Sequence, residues 1–169
     1  MKHNNRFNIF IFAALSLFLM SCGSTKTALE KAEEAQIMDE KFENLNFKFM
    51  ADYAYPQSFQ SVYLSSNYSV TVSPDTIKAY LPYYGRAYRA PMNPSEGGIK
   101  FESTNFESEV EKGRKKEEWL VTIRTLDTSR PFTLYFHLWN NGTGSLDVND
   151  QDRQSISFKG TIEDKDVEE

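Results

Sequence analysis

Hydrophobic positions along this 169-residue chain follow three successive rhythms. An apolar run comes first, Ile9 to Met20, behind a short stretch that carries Lys2 and Arg6. Ala28, Ala32, Ala35, Met38 and Phe42 then recur at helical spacing, which places them on one face of a helix. Thr27-Ala28-Leu29-Glu30 opens that helix as a capping box, hydroxyl and carboxylate satisfying the first free amides. The stripe is mostly alanine, so the helix is expected to bury little area and to dock weakly or act as a stalk. From Leu45 the period falls to two, the mark of β structure.

Leu45, Phe47, Phe49, Ala51 and Tyr53 alternate with Asn46, Lys48, Met50 and Asp52, predicting a strand with one wet face. Tyr68, Val70 and Val72 repeat the pattern, and Ser73-Pro74-Asp75 marks a turn into a strand over Thr76 to Leu81. Phe101 to Val110 reads as one strand whose phase slip, between Phe101 and Phe106, predicts a bulge. Trp119, Val121 and Ile123 alternate with Leu120, Thr122 and Arg124. Phe132 to Trp139 is apolar or aromatic on both faces and predicts a central strand. Asn140-Asn141-Gly142 signals a hairpin, because Asn and Gly tolerate the positive φ of such turns. Leu146 and Val148, then Ile156 and Phe158, supply the closing strands. About eight short strands at close spacing predict a mainly β fold, an antiparallel sandwich or partly open barrel preceded by the N-terminal helix.

The first apolar run sets the address. Its twelve residues fall short of the about 20 that a membrane-spanning helix needs, so the run reads as a signal peptide. It closes on Leu19-Met20-Ser21-Cys22, a lipobox-like pattern ending at the only cysteine of the chain. The organisation that follows is a lipoprotein signal at 1–21, a lipidated N-terminus and helical spacer at 22–44, a β-domain at 45–162 and a frayed acidic tail at 163–169. Acylation of Cys22 would supply a membrane anchor and remove a reactive thiol, and no other cofactor is implied.

Cleavage before Cys22 leaves 148 residues and moves the formal charge from −5 to −7, since Lys2 and Arg6 are lost. An acidic domain without a basic stripe excludes nucleic acid as a partner. Arg114-Lys115-Lys116, chased by Glu117 and Glu118, reads as a solvated hairpin tip.

The segment from Tyr80 to Pro91 is the most distinctive inside the domain. It holds Tyr80, Tyr83, Tyr84 and Tyr88 together with Arg86 and Arg89, and Pro82 and Gly85 keep it irregular. Tyrosine offers a flat apolar face with a polar tip, and arginine stacks on it or grips a carboxylate. These six residues are the candidate surface for a glycan, peptide or protein partner. The alternative is a lid over an open barrel end, with the tyrosines packed and Arg86 bonding loop carbonyls.

Leu81-Pro82-Tyr83-Tyr84-Gly85-Arg86-Ala87-Tyr88, Gly97-Gly98-Ile99-Lys100-Phe101 and Arg153 to Gly160 resemble an uncharacterised lipoprotein family of Bacteroidota, a domain of unknown function. The resemblance spans about Phe42 to Ile162 plus the signal. It implies an envelope location and brings no catalytic residue or cofactor. Gly23-Ser24-Thr25-Lys26 lacks the acidic export signal common after the cysteine of surface lipoproteins in such bacteria, so an outer-membrane, periplasm-facing position is expected.

Catalytic chemistry is sparse. His137 is the one histidine left after cleavage, and no Gly-x-Ser-x-Gly elbow accompanies it. Asp147-x-Asn149-Asp150-x-Asp152 invites calcium but lacks the glycine and distal glutamate of an EF-hand, so a polar turn is the better reading and no metal is expected. Glu107, Glu109 and Glu111 alternate without a visible partner. The leading expectation is a non-catalytic, lipid-anchored binding module. A structural accessory subunit of an envelope complex is the alternative, and a hydrolase using His137 or the acidic turn stands behind both.

Overall fold

The structure, a computed structural model, describes residues 27–65, 67–88 and 97–163. The run expected to be a signal peptide, Cys22, Arg89 and the tail beyond Glu163 lie outside the described residues.

Helix α1 (Ala28–Glu43) opens as the sequence predicts. The Thr27 amide donates to Glu30 Oε2 at 2.7 Å, and the Glu30 amide to Thr27 Oγ1 at 3.3 Å. It closes in a Schellman turn, with the Asn46 amide on the Lys41 carbonyl, the Leu45 amide on that of Phe42, and Leu45 at φ 51°. Leu45 therefore ends the helix rather than beginning the first strand. The chain divides into two compact units after Ala32, the second running from Glu33. In that unit Met38 and Phe42 pack on the core, whereas Ala28 and Ala32 of the predicted stripe are exposed. Among the described residues no helix is long and apolar enough to cross a membrane.

Ten strands follow: β1 (Phe47–Pro56), β2 (Val62–Tyr63), β3 (Ser69–Val72), β4 (Ile77–Leu81), β5 (Ile99–Ser103), β6 (Phe106–Lys112), β7 (Glu118–Thr125), β8 (Phe132–Trp139), β9 (Thr143–Asp150) and β10 (Arg153–Glu163). They form one antiparallel sheet in the order β5-β4-β3-β1-β10-β9-β8-β7-β6, with β2 paired to β1 beside β3. The two edges of that path are consecutive in the chain, so the sheet curls into a nearly closed barrel, mainly β, with one N-terminal helix among the described residues.

The predicted bulge between Phe101 and Phe106 is instead a break between β5 and β6. A bulge keeps a strand in its ladder; here Thr104 and Asn105 carry the chain from one sheet edge to the other. Asp127, from the β7–β8 loop, fixes that passage by accepting the Thr104 and Asn105 amides at 2.9 and 3.1 Å and the Ser103 hydroxyl. A bulge does occur in β1, where the register to β10 shifts between Ala51 and Tyr53.

Alternation then sorts the side chains. Phe47 and Phe49 of β1, Leu134, Phe136 and Leu138 of β8, and Phe158 of β10 point inward and are fully buried. Their rings meet edge to face: Phe47 lies 5.4 Å from Phe136 and 5.6 Å from Phe42 of α1. Asp39 of α1 accepts the Trp119 indole N–H at 2.7 Å. The helix thus plugs one end of the barrel through its last turns, a tighter attachment than its alanine stripe suggested.

Candidate functional site

The opposite end is closed by residues from four separate stretches of chain. Arg153, at the start of β10, is almost fully buried: its side chain is 6% exposed and that of its partner Asp150 is 5%. Arg153 Nε donates to Asp150 Oδ2 at 2.7 Å and Nη1 to the Gly98 carbonyl at 3.1 Å. The guanidinium sits 4.7 Å over the Tyr83 ring and 6.0 Å from that of Phe132. Phe132 in turn stacks on Phe101 of β5, centroids 4.6 Å apart. A buried ion pair persists only when its remaining donors and lone pairs are used, and here Asp150 Oδ1 also accepts the Asp152 amide.

This cluster holds the described part of the tyrosine- and arginine-rich loop, Tyr83 to Tyr88. The Tyr83 hydroxyl lies 3.0 Å from both the Arg86 and the Gln154 carbonyls, so its proton serves two acceptors. Burial pushes that hydroxyl above its ordinary pKa, against the lowering pull of Arg153. The Arg86 amide donates to Gln154 Oε1, the Arg86 carbonyl accepts the Gln154 amide, and the Tyr88 amide donates to the Asp152 carbonyl. Gly85 is required by contact: a Cβ there would stand 2.5 Å from the Tyr83 hydroxyl.

The five candidates within the described residues separate accordingly, Arg89 lying outside them. Tyr83 and Tyr84 pack against the core. Tyr80 stays outside on β4, 47% exposed, stacked on Tyr68 with Lys100 Nζ 4.7 Å above its other face. Arg86 is exposed and Tyr88 is 68% exposed. The lid alternative expects Arg86 to bond loop carbonyls; in the structure its backbone bonds Gln154 and the residue is exposed.

The other chemical candidates scatter over the outer face. His137 on β8 is half-buried, opposite Leu120 and Ser145. Glu107 and Glu109 are exposed on β6, which carries no neighbour beyond β7. Asp150 and Asp152 are engaged with Arg153 and the loop, which gives the acidic turn a structural task. Among the described residues no group of three or more His, Cys, Asp and Glu side chains converges as a metal site would require.

Sequence reasoning passed over Arg153 and Asp127. Arginine is usually exposed, and the one local hint was Asp150 placed three residues before Arg153 across a tight turn.

A nearly closed antiparallel barrel, plugged by a helix at one end and latched by a buried arginine at the other, defines a small all-β domain with its aromatic display outside. The chain belongs to the domain-of-unknown-function family DUF4251, whose sequence pattern matches residues 29–162. Its fold is similar to the crystal structure of a DUF4251 family protein from Bacteroides eggerthii, with a TM-score of 0.56 and 10% identity over 78% of this chain and 87% of that one. No curated protein matches it in sequence.

Proposed function

We propose that this chain is a lipid-anchored, non-catalytic protein of the cell envelope that binds a ligand or partner through its fixed loop. The observation that carries the reading is the division of labour within the loop. Tyr83, Gly85 and the hydrogen bonds to Gln154 and Asp152 hold the backbone, while Arg86 and Tyr88 stay exposed. A pre-ordered loop loses little conformational entropy on binding, which favours recognition by few side chains. Arg86 and Tyr88 offer a guanidinium and an amphipathic ring, suited to a glycan, a peptide or an acidic protein surface. The anchor rests on Ser21-Cys22 closing the apolar run, and the missing acidic export signal supports a periplasm-facing position at the outer membrane.

The test is a photo-crosslinking residue placed at Tyr88 in cells, alongside labelling with a tagged palmitate. A discrete adduct that disappears with Arg86→Ala, and a label that disappears with Cys22→Ser, are the expected results. Adducts identical to those from Lys78 on the exposed face of β4, or a chain that takes up no palmitate, would refute the respective half of the reading.

A second reading, a structural accessory subunit, is favoured by a different surface. Tyr53 and Tyr55 of β1 and Tyr63 of β2 are exposed together, with Tyr53 and Tyr63 rings 5.3 Å apart and Lys159 Nζ 5.3 Å over Tyr55. Exposed tyrosine clusters are common anchors of protein interfaces. A crosslinker at Tyr63 that yields a fixed-size complex, unaffected by Arg86→Ala, would support it over the loop.

A further inference from the structure

Cross-strand register sets the side chains of four strands in rows on the outer face of the barrel. Glu107 of β6 lies opposite Arg124 of β7, which lies opposite Thr133 of β8 and through it Asn149 of β9. The neighbouring row runs from Glu109 through Thr122 and Tyr135 to Asp147. Between these rows and the β9–β10 turn lies a cleft of about 470 Å³, closed at the turn by Gln151. That volume falls within the range of small-ligand sites, about 300–1,000 Å³. Tyr135, 39% exposed, is its one aromatic ring.

The lining selects the ligand class. Main-chain amides of β7, β8 and β9 are consumed in the ladders on both sides, so over these three strands a bound molecule meets side chains, with β6 as the edge strand along one border. Those side chains mix donors and acceptors: the Arg124 guanidinium, the Asn149 and Gln151 amides, threonine hydroxyls, and the Glu107 and Glu109 carboxylates. A hydroxylated ring, which donates and accepts at every oxygen and has an apolar face to lay on an aromatic ring, matches that inventory. An apolar ligand would desolvate the polar rows without replacing their water. A polyanion would meet two exposed carboxylates against one guanidinium. We propose that this cleft is a binding site for a short, uncharged saccharide, with Tyr135 as stacking platform and Arg124, Asn149 and Gln151 as hydrogen-bonding groups. The site is independent of the loop formed around Tyr83.

The test is calorimetric titration of the full chain, held in micelles of a sugar-free detergent, with cellohexaose and chitohexaose as probes. Binding of at least one probe is expected, weakened about tenfold or more by Tyr135→Ala, with Asn149→Ala reducing it as well and the melting temperature unchanged in both. Tyr88→Ala is expected to leave that affinity intact. No heat from either probe up to about 10 mM, an unchanged affinity in Tyr135→Ala, or a loss confined to Tyr88→Ala would overturn the proposal, and the last would transfer saccharide binding to the loop.

Discussion

Replacing Arg153 with methionine should be among the most damaging single changes on the outer half of the barrel. The substitution leaves Asp150, whose side chain is only 5% exposed, without its cation. Breaking a buried pair from one side costs about 3–5 kcal/mol, since the orphaned charge stays desolvated. The hydrogen bond to the Gly98 carbonyl is also lost, adding about 1 kcal/mol. Methionine regains roughly 1 kcal/mol by filling the space against Tyr83 and Phe132 with a polarisable side chain. The net is about 4 kcal/mol, which at roughly 3–4 °C per kcal/mol for a domain of this size lowers Tm by about 15 °C.

The cost is separable into its parts by a double-mutant cycle. Asp150→Asn removes the charge but keeps an oxygen for the Asp152 amide, so combining it with Arg153→Met should be milder than the sum of the two single changes. A coupling of about 2 kcal/mol is expected from denaturant unfolding. Limited proteolysis gives a local readout: cleavage by trypsin after Arg86 should accelerate in Arg153→Met, because Tyr83 loses the cation that covers its ring. A stability loss below about 1 kcal/mol, or strict additivity with Asp150→Asn, would refute the view of Arg153 as the latch of this barrel end.

Four further outcomes follow from other contacts. Asp127 is held below its ordinary pKa chiefly by the Ser103 hydroxyl and then by the Thr104 amide, so its contribution is present above the ordinary value of 3.8 and lost as pH falls through the folded one; Asp127→Asn should therefore melt lower at pH 7, with the gap closing in acid. Tyr83 shifts the other way, its stabilisation present below the ordinary tyrosine value of 10.0 and lost as pH rises through the folded one; ultraviolet titration should show one late-ionising tyrosine that Tyr83→Phe abolishes, at about 1 kcal/mol of stability. Gly160→Ala would drive a Cβ into the Met50 carbonyl oxygen, where only backbone can yield, and should cost about 3 kcal/mol or more, against about 1 for Gly144→Ala, which meets the movable end of Leu138. Phe42→Ala, emptying the plug between Phe47 and Trp119, should cost about 3–5 kcal/mol in denaturant unfolding.

The parts of the fold legible in the sequence are those governed by neighbours in the chain. The Thr27–Glu30 box, the alternation in β1 and β7, the basic tip between β6 and β7, and the Asn-Gly turn at φ 81° for Gly142 all depend on a few adjacent residues. The break between β5 and β6 was not legible, because a phase slip looks the same whether a strand bulges or leaves its ladder. What decides it is Asp127, over twenty residues further on. The loop divided for the same reason: nothing local distinguishes Tyr83 from Tyr88, and their fates are set by Arg153 and Gln154 on a distant strand.

The short turn between β9 and β10 emerges as the junction of the molecule. Asp150 and Arg153 form the latch, Asp152 and Gln154 fasten the loop at Tyr88 and Arg86, and Gln151 borders the outer cleft. The cluster of acidic side chains there first suggests a cation, and the cation it holds is the guanidinium of Arg153. Loop and cleft share this turn but expose different rings, so one short segment holds two surfaces that Tyr88→Ala and Tyr135→Ala tell apart.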